Sequence, residues 1–139
     1  MSRLVVLDNE AVHALRDPTH AKHRRVVSHV QIVASRKKRA ESIGIVVPTA
    51  VRVEAGWDRT SPAWAFPNQL RTADSPLDTR SANIAAAVRT RTGVSVADAH
   101  IGAVLRAGQD ARLTVITSDP GDMRRLAQDA DADVTIVTI

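Results

Sequence analysis

The chain has 139 residues, the usual size of one domain, and its 44% hydrophobic content is enough to bury a full core, which excludes a disordered chain. Aromatic residues make up only 2%, so the core must rest on Val, Ile, Leu and Ala, and base-stacking platforms for single-stranded nucleic acid are not expected. A net charge of +4 and a pI near 10.6, carried mostly by arginine, permit a nucleic-acid partner without demanding one, and the absence of cysteine removes disulfides, thiolate metal sites and cysteine nucleophiles together.

Residues 3–8 read as a buried parallel strand, the apolar run Leu4-Val5-Val6-Leu7 closed by Asp8. A short helix over about 10–16 stops at Asp17-Pro18, and 20–42 reads as a long basic helix with Val26, Val27, Val30, Ile32 and Val33 on its apolar side. Residues 43–47 are a second strand, and Pro48-Thr49 opens a helix that carries Glu54. The stretch from Thr60 to Pro67 is rich in turn formers, and Leu70 to Ala73 reads as a short strand. An alanine-rich helix over 79–92 ends at Gly93; Ser95 opens the next, with Ala97, Ile101, Val104 and Leu105 at helical spacing. Residues 113–118 and 133–138 are the last strands, with a helix between them.

Strands alternating with helices, the strands being continuous apolar runs, imply a parallel sheet covered on both faces. The expectation is one three-layer α/β/α domain over residues 1–139, with four to five strands. No apolar stretch approaches the roughly 20 residues of a bilayer span. The amino terminus runs straight into a strand without a signal-peptide pattern, which points to a cytoplasmic protein with no membrane partner.

Four carboxylates stand at strand ends or early helical turns: Asp8, Glu54, Asp98 and Asp119. In an open α/β fold those positions share the sheet edge that binds ligands. Acids gathered there repel one another unless a cation lies between them, and hard oxygen donors suit Mg²⁺ or Mn²⁺. Each acid also has a plain structural role. Asp8 and Asp119 read as helix caps, the latter followed by Pro120; Asp98 completes a capping box with Ser95; Glu54 reads as a surface glutamate. Caps and ligands occupy neighbouring positions, so the two readings coexist.

The chain resembles PIN domains over nearly its full length, and most closely the VapC-type toxin ribonucleases of bacterial toxin–antitoxin pairs. The resemblance lies in Leu4-Val5-Val6-Leu7-Asp8, in Val46-Val47-Pro48-Thr49-Ala50-Val51-Arg52-Val53-Glu54, in Gly93-Val94-Ser95-Val96-Ala97-Asp98-Ala99-His100-Ile101-Gly102, and in Val115-Ile116-Thr117-Ser118-Asp119. It implies that Asp8, Glu54, Asp98 and Asp119 bind Mg²⁺ or Mn²⁺ and activate water to cleave RNA, with Thr117, ahead of Ser118, as a secondary contact. It also implies a homodimer and a cognate antitoxin as partner. Two positions depart from the family pattern: Asn9 and Glu10 stand where a small hydroxyl residue and then Ser or Asn are common. Asn9 remains able to hydrogen-bond a ligand water, and Glu10 adds a carboxylate. These departures motivate the alternative, a degenerate domain that binds RNA or a protein without cutting. Asp122, one turn beyond Asp119, reads either as an outer ligand or as an acid favoured by a helix start.

Lys22, Arg24 and Arg25 open the long basic helix, and Arg36, Lys37, Lys38 and Arg39 close it. As groups they suggest a clamp on the RNA backbone; singly they read as a solvated face. Arg16, Arg52, Arg89 and Arg91 are further candidates that the sequence does not separate. His20, His23 and His29 fit no common zinc spacing and read as surface residues, and no role is assigned to His100. Trp57, Trp64 and Phe66 read equally as a patch for a partner or as a loop packed on the body.

Overall fold

The computed structural model describes the backbone of residues 3–38 and 43–139 and the side chains of 3–33 and 44–139. In chain order the elements are β1 (Arg3–Leu7), α1 (Asn9–Arg16), α2 (His23–Lys38), β2 (Ile43–Pro48), α3 (Thr49–Ala55), a 3₁₀ turn (Pro62–Trp64) and α4 (Ala65–Gln69). β3 (Thr72–Ser75), α5 (Thr79–Thr92), α6 (Val96–Ala107), β4 (Arg112–Thr117), α7 (Pro120–Asp129) and β5 (Val134–Thr138) follow.

The five strands form one sheet in the order β3-β2-β1-β4-β5, every neighbouring pair parallel. β1 lies at the centre, and Val5, Val6 and Leu7 are buried, as a strand covered on both faces requires. Leu7 pairs with Ile116 and Thr117 with Thr138, which brings the carboxyl ends of the central strands level. The chain works outward from β1 to β2 and β3, then crosses back to β4 and β5. Strand order therefore reverses between β1 and β4, and the crevice beyond their carboxyl ends is where such folds bind ligands.

Alternation along the strands assigns the covering layers. α2 buries Val26, Val30 and Val33 and packs on α1 and β2. α6 lies against the opposite face, where a Cβ on Gly108 would meet Leu113 at 3.2 Å and Leu4 at 3.4 Å. α6 is itself gripped by its neighbours: a Cβ on Gly102 would stand 3.0 Å from Val88 of α5 and 3.2 Å from Leu126 of α7. Glycine at this position lets three helices approach closely.

Three sequence expectations are adjusted. The long basic helix begins at His23, not residue 20, because Asp17 accepts the Thr19 N–H and hydroxyl at 2.9 and 2.7 Å and holds the chain in a turn. It runs to Lys38, and residues 39–42 lie outside the described residues. The edge strand lies at Thr72–Ser75 rather than 70–73, since Leu70 ends α4 with its N–H on the Pro67 carbonyl at 3.1 Å. Pro62 after the Ser61 cap starts the 3₁₀ turn, so the proline-rich stretch is largely helical.

Trp57 and Trp64 are both buried and stack at 5.5 Å with a 10° interplanar angle. The tryptophans therefore fasten the loop to the body, and Phe66 alone of the three is exposed. Arg16 lies 5.0 Å over the Trp64 ring and Arg59 4.7 Å over the Trp57 ring. Arg52 and Arg59 both bind Asp74, at 2.8 and 2.7 Å. Arg91 binds Asp129 at 2.6 Å through a two-pronged contact. Arg16, Arg52 and Arg91 thus have structural partners.

Candidate metal centre

The site is built from the ends of β1 and β4, the starts of α1, α6 and α7, and the end of α3. Asp8 directly follows β1, and its backbone N–H donates to the Ile116 carbonyl at 3.3 Å, carrying the ladder one step beyond the strand. Its side chain caps α1, accepting the Ala11 N–H at 2.8 Å. Asp8 is only 5% exposed, and burial raises its pKa above the usual carboxylate value. Looser contacts from the Thr117 hydroxyl and the Ser118 backbone N–H act in the opposite sense. Thr117 is fully buried, and its oxygen accepts the Asp119 N–H at 2.9 Å, leaving its proton to face Asp8. One hydroxyl thus joins the first acid to the fourth.

Asp98 lies in the first turn of α6. Ser95 caps that helix by accepting the Asp98 N–H at 3.1 Å, which is the half of the expected capping box that forms; the Asp98 carboxyl does not return a bond to the Ser95 N–H among the described residues. The Asp98 carboxyl is pushed up to about 6, first by burial and then by the negative charges of Asp8, Asp122, Glu54 and Asp119. Acids from three other helical starts and ends therefore act on this one.

Asp119 caps α7, accepting the Asp122 N–H at 3.2 Å, and is exposed. The Asp122 pKa is raised by partial burial and by direct contact with the Asp119 carboxyl. Glu54 is exposed near the end of α3. Glu10 is bound to His20 at 2.9 Å, which holds the turn before α2 against the first turn of α1. Asn9 Oδ1 is buried with no hydrogen-bond partner among the described residues.

All these donors are oxygens, the set preferred by a hard divalent cation, and their uncompensated charge is what such a cation neutralises. Among the described residues no three His, Cys, Asp or Glu side chains stand as a ready ligand set. Two of the acids are turned to their capping bonds, and mutual repulsion favours spacing them apart. Glu54 is exposed and makes no side-chain hydrogen bond among the described residues.

Of the basic residues, Arg24 and Arg25 are exposed at the start of α2, and Lys22 is two residues from the His20 that contacts Glu10. The side chains of Arg36, Lys37 and Lys38, and all of Arg39, lie outside the described residues. His100 is fully buried, with Nδ1 accepting the Ala50 N–H at 3.2 Å. The sequence signal for that burial was present: residue 100 shares the apolar side of α6 with Ala97, Ile101 and Val104.

No family model matches the chain, and no curated protein matches it in sequence. Among solved structures it is similar to a chain of VapBC2 from Rickettsia felis, crystallised bound to a DNA fragment from their promoter. The TM-score is 0.59 at 11% identity, over 96% of this chain and 98% of that one. The likeness establishes the fold: a PIN-like α/β architecture with a central five-stranded parallel sheet. No helix among the described residues is long and apolar enough to cross a membrane.

Proposed function

We propose that the chain is a VapC-like toxin: an endoribonuclease that cleaves RNA phosphodiester bonds at a Mg²⁺ or Mn²⁺ site, with a cognate antitoxin as partner. The observation that carries this reading is Asp98, its carboxyl driven up to about 6 by burial and by the charges of four other acids beyond the β1–β4 reversal. The likeness to a VapBC2 chain supports the antitoxin partner.

Asp8, Glu54, Asp98 and Asp119 would hold the ion, with Asp122 and the Asn9 amide oxygen at its margin. The ion supplies Lewis acidity toward a scissile phosphate and lowers the pKa of water beside it. Thr117 holds Asp8 and the backbone of Asp119 in mutual register. An acid of this set that the ion leaves unbound would accept a proton from attacking water. Lys22, Arg24 and Arg25 would bind the RNA backbone beside the acids.

A second reading, a PIN-like domain that binds RNA or a protein without cutting, draws on the lack of a ready set of three ligands among the described residues. One assay separates the two. Purified wild type and Asp98→Asn are incubated with total tRNA and a structured RNA panel in Mn²⁺, in Mg²⁺ and in chelator. Metal-dependent cutting that the variant loses supports the nuclease. No cutting by folded, antitoxin-free wild type in either metal would leave the binding domain.

A further inference from the structure

We infer that His100 is a positioning residue: from α6 it caps the amino end of α3 and sets where Glu54 stands relative to Asp98. The inference rests on the metal-site reading above. α3 needs an external cap, because its N-cap residue is Pro48, which makes no side-chain cap bond. The helix is only seven residues long, so its first amides are a large share of its hydrogen bonding. One of them, the Ala50 N–H, donates to His100 Nδ1 at 3.2 Å across fifty positions of sequence.

That bond fixes the tautomer, with the proton on Nε2. Nε2 is buried with no hydrogen-bond partner among the described residues. The connection between β3 and α5 donates the Leu77 N–H to the Thr49 hydroxyl at 3.0 Å. The start of α3 is therefore held from two sides. A fully buried polar ring on a face otherwise made of Ala, Ile and Val is unfavourable unless its bond to α3 matters. Glu54 lies four residues beyond Ala50, and Asp98 two residues before His100, so this one bond locks the phase of the two acid-bearing helices.

The test titrates Mn²⁺ into the full chain without RNA, read by electron paramagnetic resonance of the free ion, with melting temperatures from the same samples. His100→Phe keeps the bulk and removes the acceptor. His100→Asn places an amide oxygen near the Nδ1 position. The Phe variant is expected to bind Mn²⁺ about tenfold more weakly, and the Asn variant to recover most of the affinity despite a lower melting temperature. Where Phe fails to fold, His100→Gln replaces it, because its longer amide reaches toward the Nε2 side. Wild-type affinity in the Phe or Gln variant, or affinity that merely follows melting temperature, overturns the role of His100 alone. A wild type that binds no Mn²⁺ overturns the metal-site reading, and the positioning role falls with it.

Discussion

Asp98 carries opposing demands of stability and function. In the metal-free protein its pKa stands at about 6 against an ordinary 3.8. Between those values the folded protein keeps a proton that the unfolded chain has released, so stability falls as pH rises from about 4 to 6 and stays lowered above. Asp98→Asn removes the charge, and at pH 7.5 it should stabilise the metal-free protein by about 1–3 kcal/mol, several degrees in melting temperature. The gain should vanish below about pH 4 and should be offset in the wild type by added Mn²⁺. Melting curves across pH with and without Mn²⁺ check this; equal curves for the two proteins at pH 7.5 would contradict it. Thr117 is a second test at this scale. Thr117→Val leaves the Asp119 N–H without its acceptor and should cost about 1–3 kcal/mol by chemical denaturation, whereas Thr117→Ser keeps the hydroxyl and most of the stability.

At the scale of elements, what the sequence reveals depends on where the signal resides. Helix α5 was legible to its ends because Gly93 adopts φ +74° and closes it, a conformation that favours glycine. Helix α6 was legible because Ser95 and Asp98 form its cap locally. The start of α2 was not, because an Asp17 turn outcompeted the basic helical pattern beyond it. The shift of β3 is of the same kind: its register is set by pairing with Ile45–Pro48 of β2, which lies far away in sequence. The capping roles of Asp8, Ser95 and Asp119 could be read directly, but the Thr117 bridge and the Ala50–His100 bond could not. Both join segments that meet only after folding. Helix packing adds a further prediction. Gly102→Val should destabilise by at least about 2 kcal/mol, since even a Cβ meets Val88 and Leu126. Urea unfolding measures it, and a neutral result would mean that α5 and α7 can move apart from α6 at little cost.

For the molecule as a whole, charge and topology divide the work. The sheet order gathers acids at one edge, and in the proposed function the +4 net charge would favour the approach of a polyanion. RNA binding by Asp98→Asn should therefore weaken steeply with salt, and replacing Arg24 and Arg25 by Ala should lower the slope by about 1 for each phosphate that is no longer neutralised. An unchanged slope would remove this end of α2 from the RNA path. The most direct test of the central claim, that the acids at the β1–β4 reversal form a cation site, is the anomalous scattering of Mn²⁺ soaked into crystals of the protein. A peak about 2.1 Å from oxygens of at least two of Asp8, Glu54, Asp98 and Asp119 is the expected result. A map with no peak at that edge under saturating Mn²⁺, or with Mn²⁺ bound only elsewhere, would contradict it.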